Sequence, residues 1–105
     1  GYYFAVEISF ENEIYIRFKP EKDIVILDNL IAQLSEIGFD DEATLSNFFA
    51  SFAEENNLKF KDFGPIIRFG LTGRLKAPAV NELCFILGKR RTLDRLSKLR
   101  DFMSN

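Results

Sequence analysis

Cationic residues gather where the chain is punctuated for helix starts and stops: residues 64–96 read GPIIRFGLTGRLKAPAVNELCFILGKRRTLDRL. Arg74 and Lys76 stand in a short loop, Arg74 to Ala77, directly before Pro78. A helix begun at Pro78 would present unpaired backbone N–H groups and a partial positive charge beside them. That arrangement suits a phosphate or the edge of a base. Capped helices with surface Arg and Lys also occur in proteins that touch no nucleic acid, so taken alone the segment leaves an ordinary solvated surface open. Other chemistry is poorly served. With no His and one Cys, the chain lacks the usual zinc ligand sets, Ser–His or Cys–His nucleophile pairs and any imidazole acid or base. No carboxylate pair stands in a recognisable acid–base motif. Catalytic, cofactor-binding and metal-binding residues are therefore expected to be absent.

The elements that would hold this segment follow from period and punctuation. Residues 5–18 alternate, with Val6, Ile8 and Phe10, then Ile14, Ile16 and Phe18, about Glu11–Glu13, which predicts a short β-hairpin or an extended remnant of an upstream region, ended by Pro20. From Asp23 the spacing of Ile24, Leu27, Ile31 and Leu34 predicts a helix that stops at Ile37 and Gly38. Asp40 or Asp41 caps a second helix, whose stripe Leu45, Phe48, Phe49 and Phe52 is read as core and not as a stacking platform for bases. Gly64 and Pro65 start a third helix that stops at Gly73. Pro78 starts a fourth, with Val80, Leu83, Cys84 and Leu87 on one face and Gly88 after it. A last helix turns Leu93, Leu96 and Leu99 inward, with Arg91, Arg95, Lys98 and Arg100 largely on other faces. The expected organisation is an N-terminal segment, 1–22, and one helical unit, 23–105: a mainly α, multihelical domain of about five helices.

A chain of 105 residues with 47% apolar side chains and 12 Phe can bury a core of its own. No apolar run is long enough to span a bilayer, and the opening GYYFAVEISFENE is too acidic for a signal or transit peptide. The single cysteine fits a reducing, cytoplasmic setting. Met103 is the only methionine, so the chain is expected to be a processed product or an excised piece of a longer protein. The formal net charge of -2 hides a division. Residues 1–60 hold 4 Lys and Arg against 12 Asp and Glu, whereas residues 61–105 hold 10 against 4. Either the second half faces a polyanion, or the two halves pair within one fold.

Three blocks carry a family resemblance: R-F-G-L-T-G-R at Arg68 to Arg74, A-P-A-V-N-E-L at Ala77 to Leu83, and L-G-K-R-R-T-L-D-R-L at Leu87 to Leu96. In order and spacing they resemble the C-terminal anticodon-binding region of bacterial glutamyl-tRNA synthetases, whose pattern is R-x-A-L-T-G, a small or hydroxyl residue, Pro, a helix, L-G-K-E-R and then R-L. The likeness runs roughly over residues 40–103 and thins before residue 35. Linked blocks in order are more specific than any single short motif.

The resemblance implies an all-helical domain that reads a tRNA anticodon loop, where unstacked bases are held singly by stacking and edge hydrogen bonds. It places Arg68 first among the site residues, because a guanidinium can serve a base edge and a phosphate together. By the same likeness Ala77, Pro78 and Val80 lie where the proline-led helix meets anticodon nucleotides. Ala77 replaces a common Ser or Thr and loses its hydroxyl contact. Arg90 replaces a common Glu, and with Lys89 and Arg91 it is expected to attract phosphates, or else to be solvated surface. Arg68 and the amide-rich start of the helix at Pro78 should lie side by side.

A class I synthetase also carries H-I-G-H-like and K-M-S-K-like ATP motifs; both are missing from this sequence. The resemblance thus implies that ATP and Mg²⁺ belong to a parent ligase, and that this chain carries no cofactor of its own. The expected partner is glutamate tRNA, met by a monomeric cytoplasmic protein, with no membrane or DNA role. The alternative is a helical protein-interaction module without RNA.

Overall fold

Proline begins the described fold. The computed structural model describes residues 18–104, and Pro20 takes the first position of α1, Pro20–Leu34, where its missing N–H costs nothing. Glu21 and Asp23 lie in that first turn, favourably placed toward the positive end of the helix dipole. The Asp23 carboxylate also accepts the Lys19 N–H at 3.0 Å. The helix begins before the expected Asp23 and ends at Ser35, short of Gly38. Its buried stripe is Asp23, Ile26, Leu27, Leu30 and Leu34, with Ile24 and Ile31 only half-buried. Ile24 to Leu27 is a run of four apolar residues, so the period admits two neighbouring stripes; packing against the last helix selects one of them. The hairpin expected about Glu11–Glu13 lies outside the described residues.

Helix α2, Glu42–Glu55, is capped as anticipated: Asp41 accepts the Thr44 N–H at 2.7 Å. Leu45, Phe49 and Phe52 are buried and Phe48 is half-buried, so this stripe is core. A 3-10 turn, Phe60–Asp62, leads into α3, Gly64–Thr72, which closes at Gly73. Gly73 has φ 76°, the left-handed conformation that a side chain resists.

Helix α4 spans Val80–Leu87 and buries Val80, Leu83, Cys84 and Leu87. It starts two residues after the expected Pro78. Ala79 is still extended, at φ -57° and ψ 147°, and its carbonyl accepts the first helical N–H, from Leu83. Helix α5, Lys89–Ser104, follows Gly88 directly and buries Thr92, Arg95, Leu96, Leu99 and Met103. Arg95 thus points inward, contrary to the sequence expectation, and Leu93 is only half-buried.

In the packed molecule α1 and α3 lie against α5, α2 lies against α4, and α4 touches both α3 and α5. Phe52, Phe63 and Phe69 fill the centre, and Phe52 meets Phe63 edge-on at 5.4 Å. Arg100 grips Asp28 through two hydrogen bonds, 2.7 and 3.2 Å. That ion pair joins the acidic and basic halves of the sequence, so part of the charge division is used inside the fold. No helix among the described residues is long and apolar enough to cross a membrane.

Candidate nucleic-acid interface

Arg68 leaves the middle of α3 half-buried, and two neighbours hold it. Its Nε–H donates to the Pro78 carbonyl at 3.3 Å, and its guanidinium carbon lies 5.7 Å from the centre of the Phe60 ring. The terminal nitrogens make no hydrogen bond among the described residues. One edge of the fork is therefore fixed against the chain entering α4 and the other is available. Arg68 thus lies beside Pro78, as expected, but its contact is with a carbonyl of the extended chain two residues before α4 and not with the amides of a proline-led helix start.

Phe60 is itself anchored. It meets Phe63 and Phe49 edge-on at 5.1 and 6.4 Å, and its ring occupies the space that a Cβ on Gly64 would need. The missing side chain at Gly64 is thus what lets the ring lie over the first turn of α3. The result is an aromatic that remains 38% exposed yet is wedged in place.

The loop after α3 is built from its end caps. The buried Thr72 hydroxyl lies 2.8 Å from the Arg68 carbonyl and 3.1 Å from that of Arg74, donating to one at a time, while it accepts the Arg74 N–H at 3.0 Å. Arg95 donates to the Leu71 carbonyl at 2.8 Å, which satisfies a helix-end acceptor with a charged donor. Burial and the nearby Arg91 charge both hold the Arg95 pKa below its usual value. From there the segment alternates. Leu75 and Ala77 pack against the core, and Arg74 and Lys76 face outward.

Not every predicted site residue joins this cluster. Val80 is 1% exposed, and its side chain seats the first turn of α4 in the core. Pro78 and Ala77 are half-buried, and Pro78 contributes its carbonyl to Arg68. Lys89, Arg90 and Arg91 stand at the far end of α4, roughly 12 Å along the helix from Val80. Lys89 is half-buried and Arg90 is exposed, while exposed Arg91 donates weakly to the Leu87 carbonyl at 3.4 Å, a contact suited to the negative end of α4.

Sequence reasoning missed the cations on the other side of the loop. Lys19, Lys22 and Lys61 line an open cleft of about 520 Å³ with Phe18, Leu75 and the carboxylates of Asp23 and Asp62. Two of the few lysines of the acidic half thus come to the back of the basic loop, and no local pattern announces that. Thr72, Arg95 and Phe60 were missed for the same reason, since their roles depend on partners that only folding supplies. Burial pushes the Cys84 thiol up to about 12, which marks it as packing and not as a nucleophile. Among the described residues no group of three or more His, Cys, Asp or Glu side chains could hold a metal ion.

The family model described as anticodon binding domain matches residues 1–100, so the likeness extends well upstream of the residues where it had been expected to thin. A glutamate–tRNA ligase of Geobacter sulfurreducens is 29% identical over 97 residues, covering 92% of this chain and 21% of that protein. Glutamate–tRNA ligase 2 of Rickettsia massiliae is 37% identical over 71 residues, 68% of this chain and 14% of its own length. The glutamate–tRNA ligase of Lawsonia intracellularis reaches 47% identity over 49 residues, 47% of this chain and 10% of its own length. The chain therefore spans about a fifth or less of the curated relatives it matches. No solved structure matches it.

Proposed function

The chain belongs to the anticodon binding domain family, and on that premise we propose that it binds the anticodon loop of glutamate tRNA on behalf of a glutamate–tRNA ligase. The observation that carries this reading is the open fork of Arg68, fixed through Nε and its π face and presented beside the start of α4. A guanidinium held in this way can give parallel hydrogen bonds to a base edge or a phosphate without first losing side-chain freedom. Arg74 and Lys76 are placed to meet the RNA backbone next to it, with Ala77 and Pro78 forming apolar walls. Lys89, Arg90 and Arg91 would add sequence-independent attraction further along the strand.

On the same reading, attachment of glutamate with ATP and Mg²⁺ belongs to the remainder of a longer cytoplasmic ligase, and this chain acts as a monomeric recognition unit without a cofactor. The comparisons lend no support to a general protein-interaction module. The test is a titration of the isotope-labelled chain with glutamate tRNA and with an unrelated tRNA at two salt concentrations. Amide shifts clustered between Arg68 and Lys76 for the cognate RNA alone support the reading. Equal shifts with both RNAs, or none even at low salt, overturn it.

A further inference from the structure

The open cleft of about 520 Å³ between the start of α1, the 3-10 turn and the first turn of α3 takes no part in the interface proposed above. Its cations come from two elements, Lys19 and Lys22 from the start of α1 and Lys61 from the 3-10 turn. None of the three makes an ion pair among the described residues. The two acids of the cleft are engaged by the backbone. Asp23 accepts the Lys19 N–H at 3.0 Å, and Asp62 accepts the Lys59 N–H at 2.8 Å. Each uses one oxygen in this way; the second has no partner among the described residues and is not sealed from water. Lys19 and Lys22 act on Asp23 through space, but their ammonium groups do not reach it. The floor is apolar, made by Phe18, Pro65, Ile66 and Leu75. It is also firm, since Ile66 is 2% exposed and the Phe18 ring rests on that of Phe69 at 5.5 Å.

We infer that this cleft docks a short acidic segment of a partner protein, one that sets an apolar side chain on the floor between carboxylates that meet Lys22 and Lys61. Three demands select that occupant. The ammoniums call for anions, the floor calls for an apolar group, and the unpartnered oxygens of Asp23 and Asp62 call for N–H donors. An extended peptide carries all three within a few residues, because acidic and apolar side chains can alternate along a backbone that brings its own N–H groups. A phosphodiester backbone meets the ammoniums alone and offers the two carboxylates little but repulsion. A free phosphate ion leaves the floor empty. The site goes beyond the RNA reading of Arg68 and does not depend on it. Exposed lysines at the rim speed the encounter and make it sensitive to salt, while the apolar contact at the centre sustains the complex.

The test pans a displayed library of random short peptides against the full chain and against its double variant Lys22→Ala, Lys61→Ala. Both lysines are exposed, so the variant is expected to melt with the parent, which thermal denaturation checks. Peptides retained by the parent are expected to share an apolar residue flanked by Asp or Glu. A synthetic peptide of the retained sequence should bind the double variant about tenfold more weakly, the sum of two partly exposed ion pairs. It should lose a similar factor when its apolar residue is replaced by Ser. Its amide shifts should fall on Lys22, Lys61, Ile66 and Leu75, and glutamate tRNA should leave it bound. If no acidic peptide is retained, or the double variant retains the same ones, the docking site is overturned. Equal binding of the Ser peptide would reduce the cleft to a plain anion site and also overturn it. If glutamate tRNA displaces the peptide, or the double substitution weakens tRNA binding as much as peptide binding, the cleft belongs to the RNA path and the protein partner is overturned.

Discussion

Arg68 shows how little of a residue's role lies in its own chemistry. Any exposed arginine could attract a phosphate. This one is held by the Pro78 carbonyl on Nε and by the Phe60 ring on its face, so its remaining donors are oriented before any ligand binds. Replacing Arg68 with Ala is expected to cost about 1–3 kcal/mol in binding to glutamate tRNA and to relax discrimination against other tRNAs. Arg68→Lys should restore little of the discrimination, because an ammonium keeps the charge and loses the planar fork. Parallel binding isotherms with cognate and control tRNA check both statements. Equal losses on the two RNAs would reduce Arg68 to a plain phosphate contact.

At the scale of elements, the end of α3 is the part of the site with the most supports. Gly73 provides the turn, Thr72 ties the loop to Arg74 by its hydroxyl, and Arg95 reaches from α5 to the Leu71 carbonyl. The Arg95→Met substitution keeps the bulk in the stripe of α5 and removes the charged hydrogen bond, for a loss on the order of 2 kcal/mol. Hydrogen exchange is expected to quicken first at Gly73 to Lys76; uniform quickening across the fold would mean that Arg95 supports the core and not the loop. The cap of α2 gives a separate, pH-dependent prediction. Asp41 accepts the Thr44 N–H, which holds its carboxyl below the ordinary 3.8. A depressed folded value means stability present above 3.8 and lost as the pH falls below it. The melting temperature of the parent chain should therefore exceed that of Asp41→Asn at neutral pH, with the gap closing on acidification below about 3.8. Asp23 works in the opposite direction, since burial raises its carboxyl. It is common to both proteins, however, and leaves their difference untouched. A gap independent of pH would remove the charge from the account of the cap.

Among the described residues, cations gather at the Arg68 to Lys76 cluster, in the Lys19–Lys22–Lys61 cleft, and in the first turn of α5 at Lys89 to Arg91. RNA running past more than one of them would release counterions at each. Binding should therefore weaken steeply with salt, and Lys89→Ala is expected to lower the slope by about 0.7, the loss of one phosphate contact to a single strand, while leaving cognate preference intact. Binding measured across a salt series checks this, and an unchanged slope would place Lys89 outside the RNA path.

The helices were legible before folding because their information is local. Asp41 as a cap, Pro65 at a helix start, Gly73 at a stop and the Val80, Leu83, Cys84, Leu87 stripe all act within a few residues of chain, and a local rule can read them. The family blocks were legible for the same reason, being short and ordered. What remained hidden rests on contacts between distant residues. The true buried stripe of α1, the inward turn of Arg95 and the meeting of Phe60 with Arg68 each depend on which face another element covers. Period and composition place a residue on a face of its own helix; only the packing of helices decides whether that face meets water, core or a ligand.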